Sequence, residues 1–277
     1  MLVDSHCHLD HLNLDDNYSS FSSILDDARQ RGVVAFLGVG VDLDSSARLI
    51  DLAESNRDVL VSAGVHPLQE TLPALPEHDD LIRVASHPAV VAVGETGLDN
   101  YYSPDSAAWQ EESFIRHLKV ADQLKKPVVV HTRQAQQQTL AILRAHVNQD
   151  VGGVLHCFTE TWAMAEAAIV MNFYISFSGI ITFRNAAALR EVVKKVPLEK
   201  LLVETDAPWL APVPYRGKQN LPGHVVEVAQ MVADIKGISY QQVAETTTAN
   251  FSTLFLGGRS FDHLSNHFSH CNSPVSL

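Results

Sequence analysis

The chain has 277 residues and a net charge of −12, and 46% of its residues are hydrophobic against 19% charged. That balance excludes a disordered chain, and the length suffices to bury a large core without disulfide staples. The acidic surplus excludes a basic nucleic-acid coat, though not an enzyme that meets phosphates through bound cations. Cys7, Cys157 and Cys271 are too few for a disulfide framework, and no stretch reaches the ~18 consecutive apolar residues of a membrane span. The charged start MLVDSHCHLD is not a signal peptide, so a reduced, cytoplasmic protein is expected.

Short apolar runs alternate with segments of helical period. From the N-terminus, strand Leu2–Ser5 precedes helix Ser22–Arg31, strand Val33–Val41 precedes helix Ser45–Ser55, and strands Val59–Val65 and Val90–Gly94 precede helix Ala108–Leu124. Strand Pro127–Val130 leads to helix Gln136–Ala145, Gly153–Leu155 to Trp162–Met171, and Phe173–Ser176 to Ala186–Lys195. After strand Leu201–Glu204 come helices Gly223–Lys236 and Tyr240–Leu256. Runs such as VVAFLGVGV, VVAVG and PVVV lack polar alternation, as parallel strands covered on both faces do. Eight such strands in about 250 residues predict a single-domain (β/α)8 TIM barrel over residues 1–258. A doubly wound sheet would place a glycine-rich turn after its first strand, where this chain has SHCHLDH. Residues 259–277 change character to Ser, Asn and His. They are expected to be a poorly ordered tail, although His263, His267, His270 and Cys271 have metal-capable spacing.

His6 and His8 end the first strand, where residues two apart share a face, so both imidazoles aim into the barrel mouth while Cys7 turns away. An H-x-H pair is a common chance event in a chain with 14 His, and position gives it meaning. Active sites of such barrels gather at the carboxyl ends of strands. There the sequence also puts His66 (GVHP), Glu95 (VGETGLD), His131 (VVVHTR), His156 (VLHCF) and Asp206 (LLVETD). Four imidazoles and two carboxylates suit two divalent ions such as Zn²⁺ or Mn²⁺. His6, His8 and Asp206 would hold one, His131 and His156 the other, with Glu95 bridging. Two ions about 3.5–4 Å apart activate a shared water for hydrolysis. Asp206 would take that water's proton, and Glu204, two residues earlier, would orient a ligand from behind.

In order, DSHCHLD, GVHP, GETGLD, VVVHTR, HCF, SFSG, ETDAPWL, YRGKQN and TTTANFSTLF resemble the TatD family of metal-dependent hydrolases, a branch of the amidohydrolase-like barrels, across residues 1–257. The resemblance implies metal ligation by His6, His8, Glu95, His131, His156 and Asp206 and exonuclease-like hydrolysis of DNA ends; Asp206 and the bridging Glu95 are the residues expected to carry catalysis. Two departures stand near the expected substrate rim. Asn100 follows GLD where the family commonly has Tyr, and Gln134 follows HTR where it often has an acidic residue.

Arg133, Arg216 and Lys218 are expected to grip phosphate oxygens, and His66 to contact substrate or a ligand. Trp209 and Tyr215 are expected either to stack on exposed bases or to pack the last loop. Asn250 is expected to support the Asp206 loop. Two rivals remain open. One is an ester or amide hydrolase on the same two-metal site, such as a D-aminoacyl-tRNA deacylase; the other is a non-catalytic metal-binding protein. Nothing in the sequence indicates a membrane or an obligate partner protein.

Overall fold

Eight strands run parallel in the order of the sequence, each paired with the next: β1 (Leu2–Cys7), β2 (Val33–Val39), β3 (Val59–Ala63), β4 (Val90–Asp99), β5 (Val128–Arg133), β6 (Gly153–Leu155), β7 (Phe173–Phe177) and β8 (Leu201–Val203). The computed structural model describes residues 1–14, 18–69 and 73–261. The chain just beyond β8 returns to β1: Asp206 N–H donates to the His6 carbonyl at 3.0 Å, and His8 N–H to that of Ala207 at 2.7 Å. Those bonds draw the last strand against the first, and the architecture is a single-domain (β/α)8 barrel.

Helices follow the strands: α1 (Phe21–Gln30), α2 (Leu43–Ser55), α3 (His78–Ala85), α4 (Ala107–Leu124), α5 (Gln136–His146), α6 (Trp162–Val170), α7 (Ala187–Lys195), α8 (Val225–Lys236) and α9 (Tyr240–Leu256). Side-chain caps start several of them, with Asp42 accepting from Ser45 N–H at 2.6 Å and Ser239 from Gln242 N–H at 3.1 Å. No helix was predicted where α3 lies. It is only eight residues long and follows the proline-rich stretch around Pro73 and Pro76, too short to show a period.

The alternation of each strand divides the core in two. Val3, Ala35, Leu37, Leu60, Ala92, Val129, Val154 and Leu202 fill the barrel interior, and Phe251, Phe255 and Leu256 of α9 close it from below. Their neighbours along the strands pack outward against the helices. The amino-terminal end is thus plugged with hydrocarbon, which leaves the carboxyl end to polar chemistry.

Three strands run further than their apolar runs predicted. β1 continues to Cys7, β4 to Asp99 and β5 to Arg133, so His6, Glu95 and His131 sit within strands rather than after them. Backbone pairing continues past the point where side chains turn polar, and hydrophobicity marks only the covered stretch. The segment carrying His263, His267, His270 and Cys271 lies outside the described residues.

Candidate metal centre

The mouth of the barrel encloses a cavity of about 570 Å³ with His8, Glu95, His131, His156 and Asp206 among its walls. His6 is fully buried beneath it, at 0% exposure. The two imidazoles of β1 do share a face: their Nε2 atoms lie 3.1 Å apart. Cys7 points the other way and donates its thiol to the Leu37 carbonyl at 3.4 Å.

Glu95 stands at the centre, and its two oxygens divide the cluster. Oε2 lies 3.3 Å from His6 Nε2 and 3.7 Å from His8 Nε2. Oε1 lies 3.2 Å from His131 Nδ1, 2.6 Å from His156 Nε2 and 3.1 Å from His66 Nε2. Asp206 Oδ1 completes the first side, 3.4 Å from His8 Nε2 and 3.7 Å from His6 Nε2. All six residues expected as ligands therefore meet in one place. Glu95 is carried there by a close approach of β4 to β5. Gly97 has φ +140°, and a Cβ on it would run into the His131 carbonyl oxygen. Asp206 and Cys157 also adopt left-handed backbone, with φ 57° and 42°, strain of a kind that gathers at functional sites.

The second nitrogen of each ring fixes what the first can do. His8 Nδ1 donates to the Val39 carbonyl at 3.1 Å, which leaves a lone pair on Nε2. His131 does the reverse: Nε2–H donates to Asp99 Oδ2 at 2.9 Å and Nδ1 faces Glu95. His156 Nδ1 lies 3.4 Å from Glu204 Oε1, the oxygen that also accepts the Cys157 N–H at 2.7 Å. His66 differs. Its Nδ1 accepts the Leu68 N–H at 3.0 Å, so a neutral ring carries its proton on Nε2, the nitrogen facing Glu95. A ring in that tautomer presents a proton, not a lone pair, and cannot ligate an ion through that nitrogen.

Burial alone would raise the Glu95 carboxyl, but the imidazoles of His156, His66 and His6 outweigh it and hold it well below the usual carboxylate range. Asp206 goes the same way: burial opposes, and the His8 hydrogen bond together with His6 brings it down. Both are ionised at neutral pH. Asp4 is the contrast, as burial pushes its carboxyl up to about 8 despite hydrogen bonds from the Thr205 hydroxyl at 2.6 Å and N–H at 2.8 Å. It ties β1 to the residue before Asp206.

Residues present fit divalent metal. His6 Nδ1, both nitrogens of His156 and both oxygens of Glu95 are buried without a satisfactory hydrogen bond, a costly state for polar atoms unless something else engages them. Three overlapping sets place donor atoms within 4.8 Å of one another: His6, His8 and Glu95; His6, His156 and Asp206; and His66, Glu95 and His131. Nitrogen and carboxylate donors at this spacing suit Zn²⁺, Mn²⁺ or a similar ion.

Around the mouth, the expected substrate contacts separate. Arg133 lines the cavity, its guanidinium carbon 4.6 Å and 5.1 Å from the ring centres of Tyr101 and Tyr102. Arg216 sits 3.8 Å over the Phe183 ring and donates to the Ala211 carbonyl, and Lys218 is exposed on the same loop. Trp209 is 47% exposed with its ring 4.9 Å from that of His8, whereas Tyr215 stacks on His224 at 3.8 Å and is not free for a base. The two departures from the family pattern meet, since Asn100 donates to the Gln134 carbonyl at 3.2 Å.

One expectation needs correction. Asn250 lies at the opposite end of the barrel, donating to the Leu198 and Leu201 carbonyls at 2.8 Å where β8 begins. The Asp206 loop is held instead by Asn220, which donates to the carbonyls of Thr205 at 2.8 Å and Trp209 at 2.6 Å. α9 passes beneath the barrel, so its Asn cannot reach the mouth. Asp99, Asp4 and Asn220 were all missed. Asp99 and Asp4 carried a signal, because each continues the two-residue spacing of the ligands on its own strand.

The sequence model of the family described as TatD related DNase matches residues 3–256. The metal-dependent hydrolase YcfH of Escherichia coli strain K12 is 48% identical over 254 residues, 92% of this chain and 95% of its own length. A Shigella flexneri serotype 5b protein named 3'-5' ssDNA/RNA exonuclease TatD is 34% identical over 249 residues, 86% of this chain and 95% of its own. Among solved structures, the TatD homologue YjjV of Escherichia coli superposes with a TM-score of 0.84 at 27% identity, covering 92% of this chain and 98% of that one. With a match that runs from the first strand of the barrel to the last turn of α9, the chain belongs to the TatD-related family of metal-dependent hydrolases.

Proposed function

We propose that this protein is a deoxyribonuclease that hydrolyses phosphodiester bonds at DNA ends, using His6, His8 and Asp206 for one divalent ion, His131 and His156 for a second, and Glu95 between them. The observation that carries a two-ion reading is the division of Glu95, one oxygen toward the β1 imidazoles and the other toward those of β5 and β6. The nucleic-acid substrate draws on the family and on the exonuclease name of the Shigella relative. Bound ions would supply a water of lowered pKa and positive charge at the phosphate.

The chain's own residues do the rest. Asp206, ionised and open to the cavity, accepts the proton of the attacking water. Asp99 behind His131 holds that ring in the tautomer that ligation requires, and Glu204 places a carboxylate 3.4 Å from His156 Nδ1. His66 offers Nε2–H at the mouth to a substrate oxygen. Arg133 from the rim, with Arg216 and Lys218 from the loop after β8, supplies cations to phosphate oxygens farther along the strand.

Replacing Asp206→Asn tests the general base. On single-stranded DNA labelled at either end, with Mg²⁺, Mn²⁺ or Zn²⁺ supplied, kcat should fall about 10²–10⁴-fold. Undiminished turnover would remove Asp206 from that role. Hydrolysis of an aminoacyl-tRNA ester with none of DNA would favour the acyl-bond rival on the same site.

A further inference from the structure

Of the aromatic residues described, three are exposed, namely Tyr101 at 51%, Tyr102 at 64% and Trp209 at 47%, and all three stand at the mouth of the metal centre. Elsewhere Phe, Tyr and Trp side chains are at least partly covered. Exposure of a large ring costs solvation free energy, and scattered cases need no explanation, but a set confined to one opening does. Tyr101 and Tyr102 pack edge to face at 4.7 Å and share the Arg133 guanidinium, which braces both rings from one side. Trp209 packs at a steep angle against the rings of His8 and His11, with ring centres 4.9 Å and 5.5 Å away. Tyr102 and Trp209 both line the cavity whose walls include Glu95 and Asp206. The molecule carries a charge of −12, so affinity for a polyanion must come from somewhere other than its general surface.

We infer that Tyr101, Tyr102 and Trp209 form a binding subsite for unpaired nucleobases, taking bases adjacent to the scissile phosphate and thereby selecting single-stranded ends over paired ones. This inference rests on the nuclease reading above. Half-exposed rings held by neighbouring guanidinium and imidazole groups are what base stacking uses, and every base offers a π-face, so the subsite is tolerant of sequence. A paired end must fray before its bases can reach the rim.

The test uses the metal-loaded enzyme and two single-stranded oligonucleotides, identical except that the two nucleotides at the attacked end are abasic in one. The wild type should show a KM about 10-fold lower for the base-bearing end, within the range that stacking on one or two rings contributes. That ratio should collapse to within about twofold in Trp209→Ala and in the double variant Tyr101→Ala/Tyr102→Ala, and persist in Trp209→Phe. A terminal 2-aminopurine should lose fluorescence on binding the wild type and keep it with Trp209→Ala, a readout independent of turnover. Thermal melts check that each variant is folded, which exposed positions should allow. A wild-type ratio near one, or one preserved in every folded variant, would overturn the subsite. Failure of the wild type to cut either oligonucleotide under any metal would instead defeat the nuclease reading, and the subsite with it.

Discussion

Four imidazoles at the mouth are told apart by what their second nitrogen touches. His8 leans on a backbone carbonyl, His131 on Asp99 and His156 on Glu204, whereas His66 accepts a backbone N–H. Hydrogen bonds set His8 and His131 to present a lone pair and His66 a proton, while His156 meets Glu204 only at 3.4 Å. Asp99 is the most informative of these partners, because its side chain is buried, its Oδ1 is fixed by the N–H groups of Tyr101 and Tyr102, and its Oδ2 holds His131. Asp99→Ala should weaken metal binding about 10–100-fold, with Asp99→Asn in between, in a competition titration against a metal indicator. Wild-type affinity in Asp99→Ala would show that packing alone orients the ring. The same residue marks what was legible. Asp99 stands inside the motif GETGLD, yet the residues themselves do not say that β4 stays extended for five positions past Gly94 and delivers it to His131.

At the scale of elements, α4 fixes the loop after β3 through one buried histidine. His117 donates Nδ1–H to the Ser113 carbonyl at 2.7 Å and accepts the Val65 N–H on Nε2 at 2.9 Å, so the chain enters His66 from a pinned position. Burial lowers the His117 pKa from 6.5 to about 4. In the native state it stays neutral down to that pH, while the unfolded chain takes up a proton near 6.5. Stability therefore rises with pH between about 4 and 6.5, is unaffected by this group above that window, and is lost as pH falls through it, by at most about 3 kcal/mol. Urea unfolding of metal-free protein at pH 7, 6 and 5 should show a shallower pH slope in His117→Gln than in the wild type. Equal slopes would mean that His117 is protonated in the folded state. The helices whose period is long, such as α4 and α9, were readable in advance; α3 was not, because eight residues beside prolines show less than three turns.

For the whole molecule, two consequences follow from the metal centre proposed in this acidic barrel. On that ligand set, metal would bind the folded state through donors drawn from five strands or their ends, which the unfolded chain cannot assemble. Chelation should lower Tm by about 5–10 °C relative to protein with metal at 100 times its Kd, on a linkage contribution of about 2.7 kcal/mol. A Tm indifferent to chelator would show that the unsatisfied buried atoms of His6, Glu95 and His156 are not ligated. Nucleic-acid binding, in turn, should depend weakly on salt. With Arg133, Arg216 and Lys218 as the phosphate contacts, the slope of log K against log salt should be about −2 or shallower for single strands. A steep slope, measured by fluorescence anisotropy from 50 to 300 mM salt, would call for a basic surface this composition does not supply.

The sequence by itself determined the barrel, the end of it that carries chemistry and the six residues that converge there, because strand runs and their polar terminators are local features with a period of two. Tertiary structure decided how those residues divide around Glu95, which nitrogen each imidazole presents, and which asparagine serves the Asp206 loop. Asn220 and Asn250 are indistinguishable as residues on the chain after β8, and only the path of α9 beneath the barrel sends one to the mouth and the other to the floor. Such assignments depend on contacts between strands and helices far apart in the chain, where spacing along the sequence carries no information about distance in space.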